Sequence, residues 1–172
     1  IQPGHKVLVN GASGGVGTFA VQIAKALGAD VTGVCSAQNL EQVRSIGADH
    51  LIDYRQEDFT QSEARYDLIF DIVANRSTSD YMRVLTPTGK YVACAFNPSA
   101  LFFGGLMSKK DGKSASSLVA KANPDDLLFM KGLLESGKVV PVIDRSYPLK
   151  EIADAMQYLG SSPQHGKVVI TL

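Results

Sequence analysis

The sequence predicts an α/β fold, a doubly wound parallel sheet of about six strands with helices on both faces. Short apolar, β-branched runs alternate with stretches of helical period, at the spacing of βαβ units that cross over right-handed. Four glycines, Gly11, Gly14, Gly15 and Gly17, crowd the first strand-to-helix junction. At 172 residues, 45% apolar and 20% charged, the chain has the size and make-up of one globular domain.

Lys6–Asn10 (KVLVN) reads as a buried strand. Val16, Phe19, Ala20, Ile23, Ala24 and Leu27 follow at helical spacing, an amphipathic helix that Gly28 stops. Asp30–Cys35 is the second strand, Leu40–Ile46 a second helix closed by Gly47, and His50–Asp53 a short third strand. Asp67–Val73 (DLIFDIV) is the fourth, followed by a helix over Thr78–Leu85. The TPTG stretch at Thr86–Gly89 turns the chain into a fifth strand, Lys90–Phe96. Residues 97–116, rich in Gly, Ser and Lys, read as a long loop with room for a short helix, and Ser117–Ala120 as a sixth strand. Pro124–Ser136 is a helix with its proline in the first turn. VVPVIDRSYPL is extended, Leu149–Leu159 helical, and Lys167–Leu172 a final strand.

Composition excludes several classes of partner. Lys plus Arg equals Asp plus Glu, 17 of each, so nothing in the net charge argues for nucleic acid or an anionic membrane. Lys109, Lys110 and Lys113 form a small basic cluster that reads as a solvated loop. The two cysteines, Cys35 and Cys94, sit inside strand-like runs; this argues against a disulfide framework and for a reducing compartment. No metal-ligand spacing is present, so no metal is expected. No apolar run nears the ~18 residues of a membrane span and no signal-peptide pattern opens the chain, so a cytoplasmic location is the expectation. The chain opens on Ile1 and enters a strand by Lys6, the expectation for a fragment whose N-terminal part is missing.

Glycine is costly inside either element, so its concentration at Gly11–Gly17 asks for a reason. In a dinucleotide-binding βα turn, glycines let the backbone approach a diphosphate, whose charge meets free amides at the helix tip. The required context is a strand before, a helix after and a βαβ unit around, and all three are predicted. The pattern departs from strict G-x-G-x-x-G, because Ala12 holds the first slot while Gly14 and Gly17 hold the others. Gly14, Gly15 and Val16 are then the amides that meet the phosphates, with the Ser13 hydroxyl beside them, and Gly17 serves close packing of helix on strand. A glycine-rich turn without a ligand is the plain alternative. The βαβ series favours a Rossmann-type nucleotide domain.

The end of the second strand separates the cofactors. An NAD site carries an acid there, about 20 residues past the glycines, for the ribose 2′-hydroxyl. In VTGVCSAQN the place falls to Cys35 and Ser36, while Asp30 lies at the wrong end of the strand. Ser36 and Asn39 can donate hydrogen bonds to a 2′-phosphate, and Tyr54 or Arg55 can close over it. NADP(H) is therefore preferred over NAD(H). Ser36 and Asn39 also fit a pair of helix N-caps.

The stretches KVLVNGASGGVGTFAVQIAKALGADVTGVCS, VRSIGADHLIDYRQEDF, YDLIFDIV and GKVVPVIDRSYPLKEIADAMQYL, with the closing GKVVITL, resemble the medium-chain dehydrogenase/reductase superfamily. Within it they resemble the zinc-independent NADPH:quinone oxidoreductase branch, over nearly the whole chain and least at Asn97–Ser116. The resemblance implies an enzyme whose N-terminal, GroES-like catalytic domain precedes the nucleotide domain. Residues 1–138 would be the NADP(H)-binding domain, and 139–172 a segment returning to a catalytic domain missing from this chain. Carried over by position, Ser13, Gly14, Gly15 and Val16 meet the pyrophosphate, and Ser36 and Tyr54 the 2′-phosphate end. Asn39 stands where some relatives carry lysine. Asn75, Ala95 and Phe96 match further cofactor contacts, although Asn75 also reads as a turn residue and Phe96 as core.

The implied reaction is hydride transfer from NADPH to a quinone or an α,β-unsaturated carbonyl, without metal, and the resemblance implies a homodimer through an edge strand near 117–122. No acid, base or nucleophile stands out. His5, His50 and His165 have no partnered pattern, and Asp71 reads as a satisfied strand-end carboxylate. The short-chain dehydrogenases share a glycine turn that Gly11-x-x-x-Gly15-x-Gly17 fits, but they need Tyr-x-x-x-Lys. None of Tyr54, Tyr66, Tyr81, Tyr91, Tyr147 and Tyr158 has a lysine four residues on. A non-catalytic nucleotide-binding or sensing module is the alternative from another class.

Overall fold

A strand that is apolar on both sides needs cover on both faces, and so belongs at the centre of a sheet. In this computed structural model, which describes residues 1–94, 112–118, 120–121, 123–161 and 165–172, that strand is β1 (Lys6–Asn10). Val7, Leu8 and Val9 are all at most 1% exposed. Leu8 points into a cluster with Ile69, Tyr81, Val84, Leu85 and Tyr91, while Val7 and Val9 point into another with Val21, Ala24, Val31 and Val43. The sheet thus has two cores, one on each face.

The chain runs from β1 through helix α1 (Gly17–Ala26) to β2 (Asp30–Cys35). A single 3₁₀ turn, Ala37–Asn39, leads into α2 (Leu40–Ser45) and then β3 (His50–Asp53). It next crosses to the other side of β1 as β4 (Tyr66–Asp71), followed by α3 (Thr78–Arg83), β5 (Leu85–Ala93) and β6 (Ser114–Ser117). The order is β3-β2-β1-β4-β5-β6, with every pairing parallel. The winding reverses between β1 and β4, and their carboxyl ends splay around a crevice.

Three of the boundaries that differ from the sequence reading have a visible cause in hydrogen bonding or strand pairing. β4 ends at Asp71 rather than Val73, because the Asp71 carboxylate accepts the N–H groups of Val73 and Ala74 and turns the chain out of the sheet. β5 begins at Leu85, paired with Tyr66, and the register then jumps so that Lys90 faces Leu68. TPTG is therefore a bulge within the strand, tethered where Thr86 Oγ1 donates to Asp67 at 3.0 Å. β6 lies at 114–117, three residues ahead of the expected 117–120, where Ser114 to Ser117 match Lys90 to Ala93. Most of the loop expected at 97–116, including Lys109 and Lys110, lies outside the described residues.

After α4 (Pro124–Glu135), which Asn123 caps by accepting from the Asp125 amide, the chain forms β7 (Ile143–Pro148), α5 (Ile152–Ser161) and β8 (Lys167–Thr171). β7 and β8 pair in parallel as a separate two-stranded sheet. The segment is tied to the larger unit where Gln22 of α1 brackets Val140, accepting from its N–H at 2.8 Å and donating to its carbonyl at 3.0 Å.

Candidate functional site

The glycine turn is built by close approach. At the end of β1 the amides of Gly11 and Ala12 both donate to the Val34 carbonyl, at 3.1 and 3.0 Å, bending the chain over the tip of β2. The N–H of Gly14 then returns to the Gly11 carbonyl, and α1 begins. A side chain on Gly17 would overlap the Gly11 carbonyl oxygen and come within 2.8 Å of Ala12 backbone atoms, so this glycine seats the helix on the turn. Gly14 is different: a Cβ there meets only the Gly11 oxygen, at an ordinary 3.6 Å. Packing does not require it. Val16 caps α1 without a side-chain bond, and no acid stands in the first turn to offset the positive helix end.

The turn forms one wall of a cavity of about 470 Å³ at the switch between β1 and β4. Gly11, Ser13 and Gly14 supply that wall; Val34, Cys35, Ser36 and Asn39 come from the end of β2 and the turn beyond it. Tyr54 follows β3, and Ile72, Val73 and Asn75 follow β4. Six of the residues expected at a cofactor, Ser13, Gly14, Ser36, Asn39, Tyr54 and Asn75, therefore line one space. Gly15 and Val16 continue the same turn into α1. Ala95 and Phe96 lie outside the described residues.

Ser36 and Asn39 stand at the N-cap positions of the 3₁₀ turn and of α2, yet neither makes a side-chain cap bond. Asn39, only 2% exposed, instead gives its Nδ2 to Ser13 Oγ at 3.0 Å, and its Oδ1 is buried with no partner among the described residues. One of its two amide hydrogens is thus spent on the glycine turn, and the other is left for a further acceptor. The Ser13 hydroxyl, accepting that bond, keeps its own hydrogen for another acceptor. Burial, with a smaller push from the Asp53 charge, raises the Cys35 thiol to about 11, so it is protonated at neutral pH. Tyr54 is 44% exposed, and the Arg55 guanidinium sits 5.7 Å from its ring centre.

The floor of the crevice is a buried polar network. Asp71, with no exposed surface, accepts from Asn10 Nδ2 at 2.9 Å and from the Tyr91 hydroxyl at 2.8 Å, as well as from the two loop amides. It is the satisfied carboxylate the sequence led one to expect. Asn10 and the Tyr81 hydroxyl also donate to Asn75 Oδ1, at 3.3 and 3.4 Å, which leaves the Asn75 amide nitrogen to face elsewhere. Burial, and then the Asp71 charge, pushes the Tyr81 phenol far above its usual range, so it stays a proton donor. Asn10, Ile72 and Val73 were not singled out from sequence. The signal for Asn10 was a polar residue closing an otherwise apolar strand directly before the glycines. No cluster of three or more His, Cys, Asp or Glu that would hold a metal occurs among the described residues.

A family model described as zinc-binding dehydrogenase matches residues 46–170. The chain belongs to that family. It is a quinone oxidoreductase-like member of the medium-chain dehydrogenase/reductase superfamily. It is 34% identical over 172 residues to a chloroplast envelope quinone oxidoreductase homolog of Arabidopsis thaliana, covering 95% of this chain and 51% of that protein. It is likewise 34% identical to an NADPH-dependent alkenal/one oxidoreductase of the same plant, covering 97% of this chain and 40% of the other. The solved quinone oxidoreductase from Coxiella burnetii superposes over 100% of the chain and 54% of its own, with a TM-score of 0.86 at 26% identity. The chain thus spans about half the length of the relatives it matches.

Proposed function

We propose that this chain is the cofactor-binding part of an NADPH-dependent oxidoreductase that reduces a quinone or an α,β-unsaturated carbonyl, without metal. The observation that carries the reading is the convergence of the glycine turn, Ser36, Tyr54 and Asn75 on one cavity at the topological switch point, where ligands of open α/β sheets bind. The fit is chemical as well as spatial. Gly14 leaves open the space a side chain would fill, α1 carries no acid in its first turn, and the buried Oδ1 of Asn39 has no partner among the described residues.

In this reading the amides from Gly14 to Val16 and the Ser13 hydroxyl bind the diphosphate. Ser36, Tyr54 and the neighbouring Arg55 take the 2′-phosphate, which makes NADP(H) preferred over NAD(H). Asn75, its oxygen held by Asn10 and Tyr81, offers its amide nitrogen to the nicotinamide half. The nicotinamide supplies the hydride when bound, and the protein groups orient it. Residues 1–138 form the nucleotide domain, and 139–172 return to a GroES-like catalytic domain. Support comes from the separate β7–β8 sheet and from Val140, Leu149 and Met156, exposed at 58%, 52% and 64% as surfaces awaiting cover.

β6, at the edge of the large sheet, supports pairing of two copies through the neighbouring 117–122 stretch. Two of the relatives are named as chloroplast proteins; we assign this chain to the cytoplasm on its composition. No helix among the described residues is long and apolar enough to cross a membrane. Titrating the chain with NADPH and NADH, followed by nicotinamide fluorescence, tests the proposal. Saturable binding with NADPH the tighter is the expected result, and binding of neither overturns it.

A further inference from the structure

The loop that leaves β4 is wound by one carboxylate. Oδ1 of Asp71, a residue with no exposed surface, accepts the Val73 amide at 3.2 Å and the Ala74 amide at 3.0 Å. Asp71 is itself fixed from both neighbouring strands. Its carboxylate accepts from Asn10 of β1 at 2.9 Å and from the Tyr91 hydroxyl of β5 at 2.8 Å, and its carbonyl accepts the Cys94 amide at 2.7 Å. Inside this grip Ala74 adopts φ +54°, in the left-handed region that a residue with a side chain occupies only at a cost. Among the described residues it is the only one other than glycine with a positive φ.

The strained turn has a visible result. It folds the loop back over the glycine turn, where a Cβ on Gly11 would lie 2.9 Å from Cγ2 of Val73 and 3.4 Å from Cβ of Ile72. Val73 therefore rests on the first glycine of that turn, yet it is 49% exposed and lines the cavity. Asn75 follows, its Oδ1 received by Asn10 and Tyr81 at 3.3 and 3.4 Å. The Asp71 oxygen that winds the loop also takes the Asn10 amide, so both sides of the crevice at the β1–β4 switch are set from one atom. Unfavourable backbone persists only where its surroundings impose it, and such residues gather at ligand sites.

We infer that Asp71 is a positioning residue for the bound dinucleotide: by holding Ala74 left-handed it sets Val73 and Asn75 as a fixed wall before the ligand arrives. This rests on the dinucleotide reading above and adds to it the group that shapes the β4 side of the site. A wall already ordered in the free chain loses no freedom when the ligand binds, which tightens binding.

The test compares the wild-type chain with Ala74→Gly and Ala74→Asn, each melted without ligand and titrated with NADPH and with 2′,5′-ADP, the adenosine half of that cofactor. Glycine takes left-handed backbone without strain but lets the loop leave it. Its Tm is expected to rise by about 1–3 °C. NADPH should bind it about two- to fivefold more weakly, the scale of the freedom that glycine adds at one position. 2′,5′-ADP, which does not reach the β4 loop, keeps its affinity. Asparagine visits left-handed backbone readily, so its NADPH affinity stays within about twofold of wild type. A purely structural role would move stability and affinity together, whereas positioning moves them in opposite directions. Asp71→Asn, which trades an acceptor oxygen for a donor, is expected to weaken NADPH by more than either variant; if it fails to fold, the Ala74 pair carries the test. A glycine variant that melts lower, or that binds NADPH as wild type does, overturns this inference alone, as does an equal loss for 2′,5′-ADP. So does an asparagine variant as weak as the glycine one. A wild-type chain that binds neither NADPH nor 2′,5′-ADP overturns the dinucleotide reading as well.

Discussion

Gly17→Ala places one methyl group where the backbone has no room. The new Cβ would overlap the Gly11 carbonyl oxygen and lie 2.8 Å from Ala12 Cα. Both are main-chain atoms of a turn pinned by two bonds to the Val34 carbonyl, so no rotamer change relieves the collision. Overpacking of this kind costs about 1–3 kcal/mol, and a collision with backbone belongs at the upper end. Alanine returns up to ~1 kcal/mol by helix propensity, leaving a net loss of ~2 kcal/mol. For a chain of this length that lowers Tm by roughly 4–8 °C. Thermal and urea unfolding followed by circular dichroism measure it, with an unchanged urea slope showing that the unfolded state is unaffected. Gly14→Ala is the control, since its Cβ meets only an oxygen at 3.6 Å. Its stability stays within ~0.5 kcal/mol of wild type, while its affinity for NADPH falls at least tenfold (~1.4 kcal/mol) as the methyl group fills the phosphate's approach. A Gly17→Ala chain as stable as wild type would refute the division of labour between the two glycines, and so would a Gly14→Ala chain that binds NADPH normally.

Ser36→Asp sets a carboxylate where the 2′-phosphate is proposed to bind, so the ratio of NADPH to NADH dissociation constants should rise at least tenfold (~1.4 kcal/mol). An unmoved ratio places Ser36 elsewhere. Tyr91→Phe removes a 2.8 Å donor from the fully buried Asp71 carboxylate, and the urea midpoint should fall by the equivalent of ~1.5–3 kcal/mol. A loss no larger than that of a surface substitution would show that Asp71 does not depend on the bond. Burial raises the Asp49 carboxylate, but bonds from the Lys25 ammonium and the Val31 amide, with the Lys25 and His50 charges, outweigh it and hold the group below its usual 3.8. A lowered pKa contributes stability above the ordinary value and loses it as pH falls through the native one. Asp49→Asn should therefore be less stable than wild type at neutral pH, with the gap closing below pH 3.8. Denaturation across that range reads the sign, and a gap that widens in acid would contradict it.

Much of the architecture was legible because its causes are local. The apolar run of β1, the helical stripe of α1 and the stops at Gly28 and Gly47 each act over a few residues, and the structure keeps all of them. The errors arose where a particular hydrogen bond or strand pairing, rather than hydropathy, decides. TPTG has turn chemistry, yet pairing of Leu85 with Tyr66 and the bond from Thr86 to Asp67 draw it into β5 as a bulge. Asp71 ends β4 early because its carboxylate captures two loop amides, and no pattern of hydropathy in DLIFDIV reports that. Ser36 and Asn39 looked like caps or phosphate donors from their residue types. Only the position of Ser13 across the cavity shows that the Asn39 amide also donates to the glycine turn.

By itself the sequence determined a parallel α/β sheet and a glycine turn at its first crossover, because hydrophobic period and glycine placement are properties of short stretches. The tertiary structure alone decided which residues meet. The reversal of strand order between β1 and β4 gathers Ser13, Ser36, Tyr54 and Asn75 around one cavity, and the fold of the β7–β8 unit sets Lys167 against Gly15. The physical reason is range: these meetings depend on register and packing between segments up to 152 residues apart (167 − 15), which no local pattern encodes.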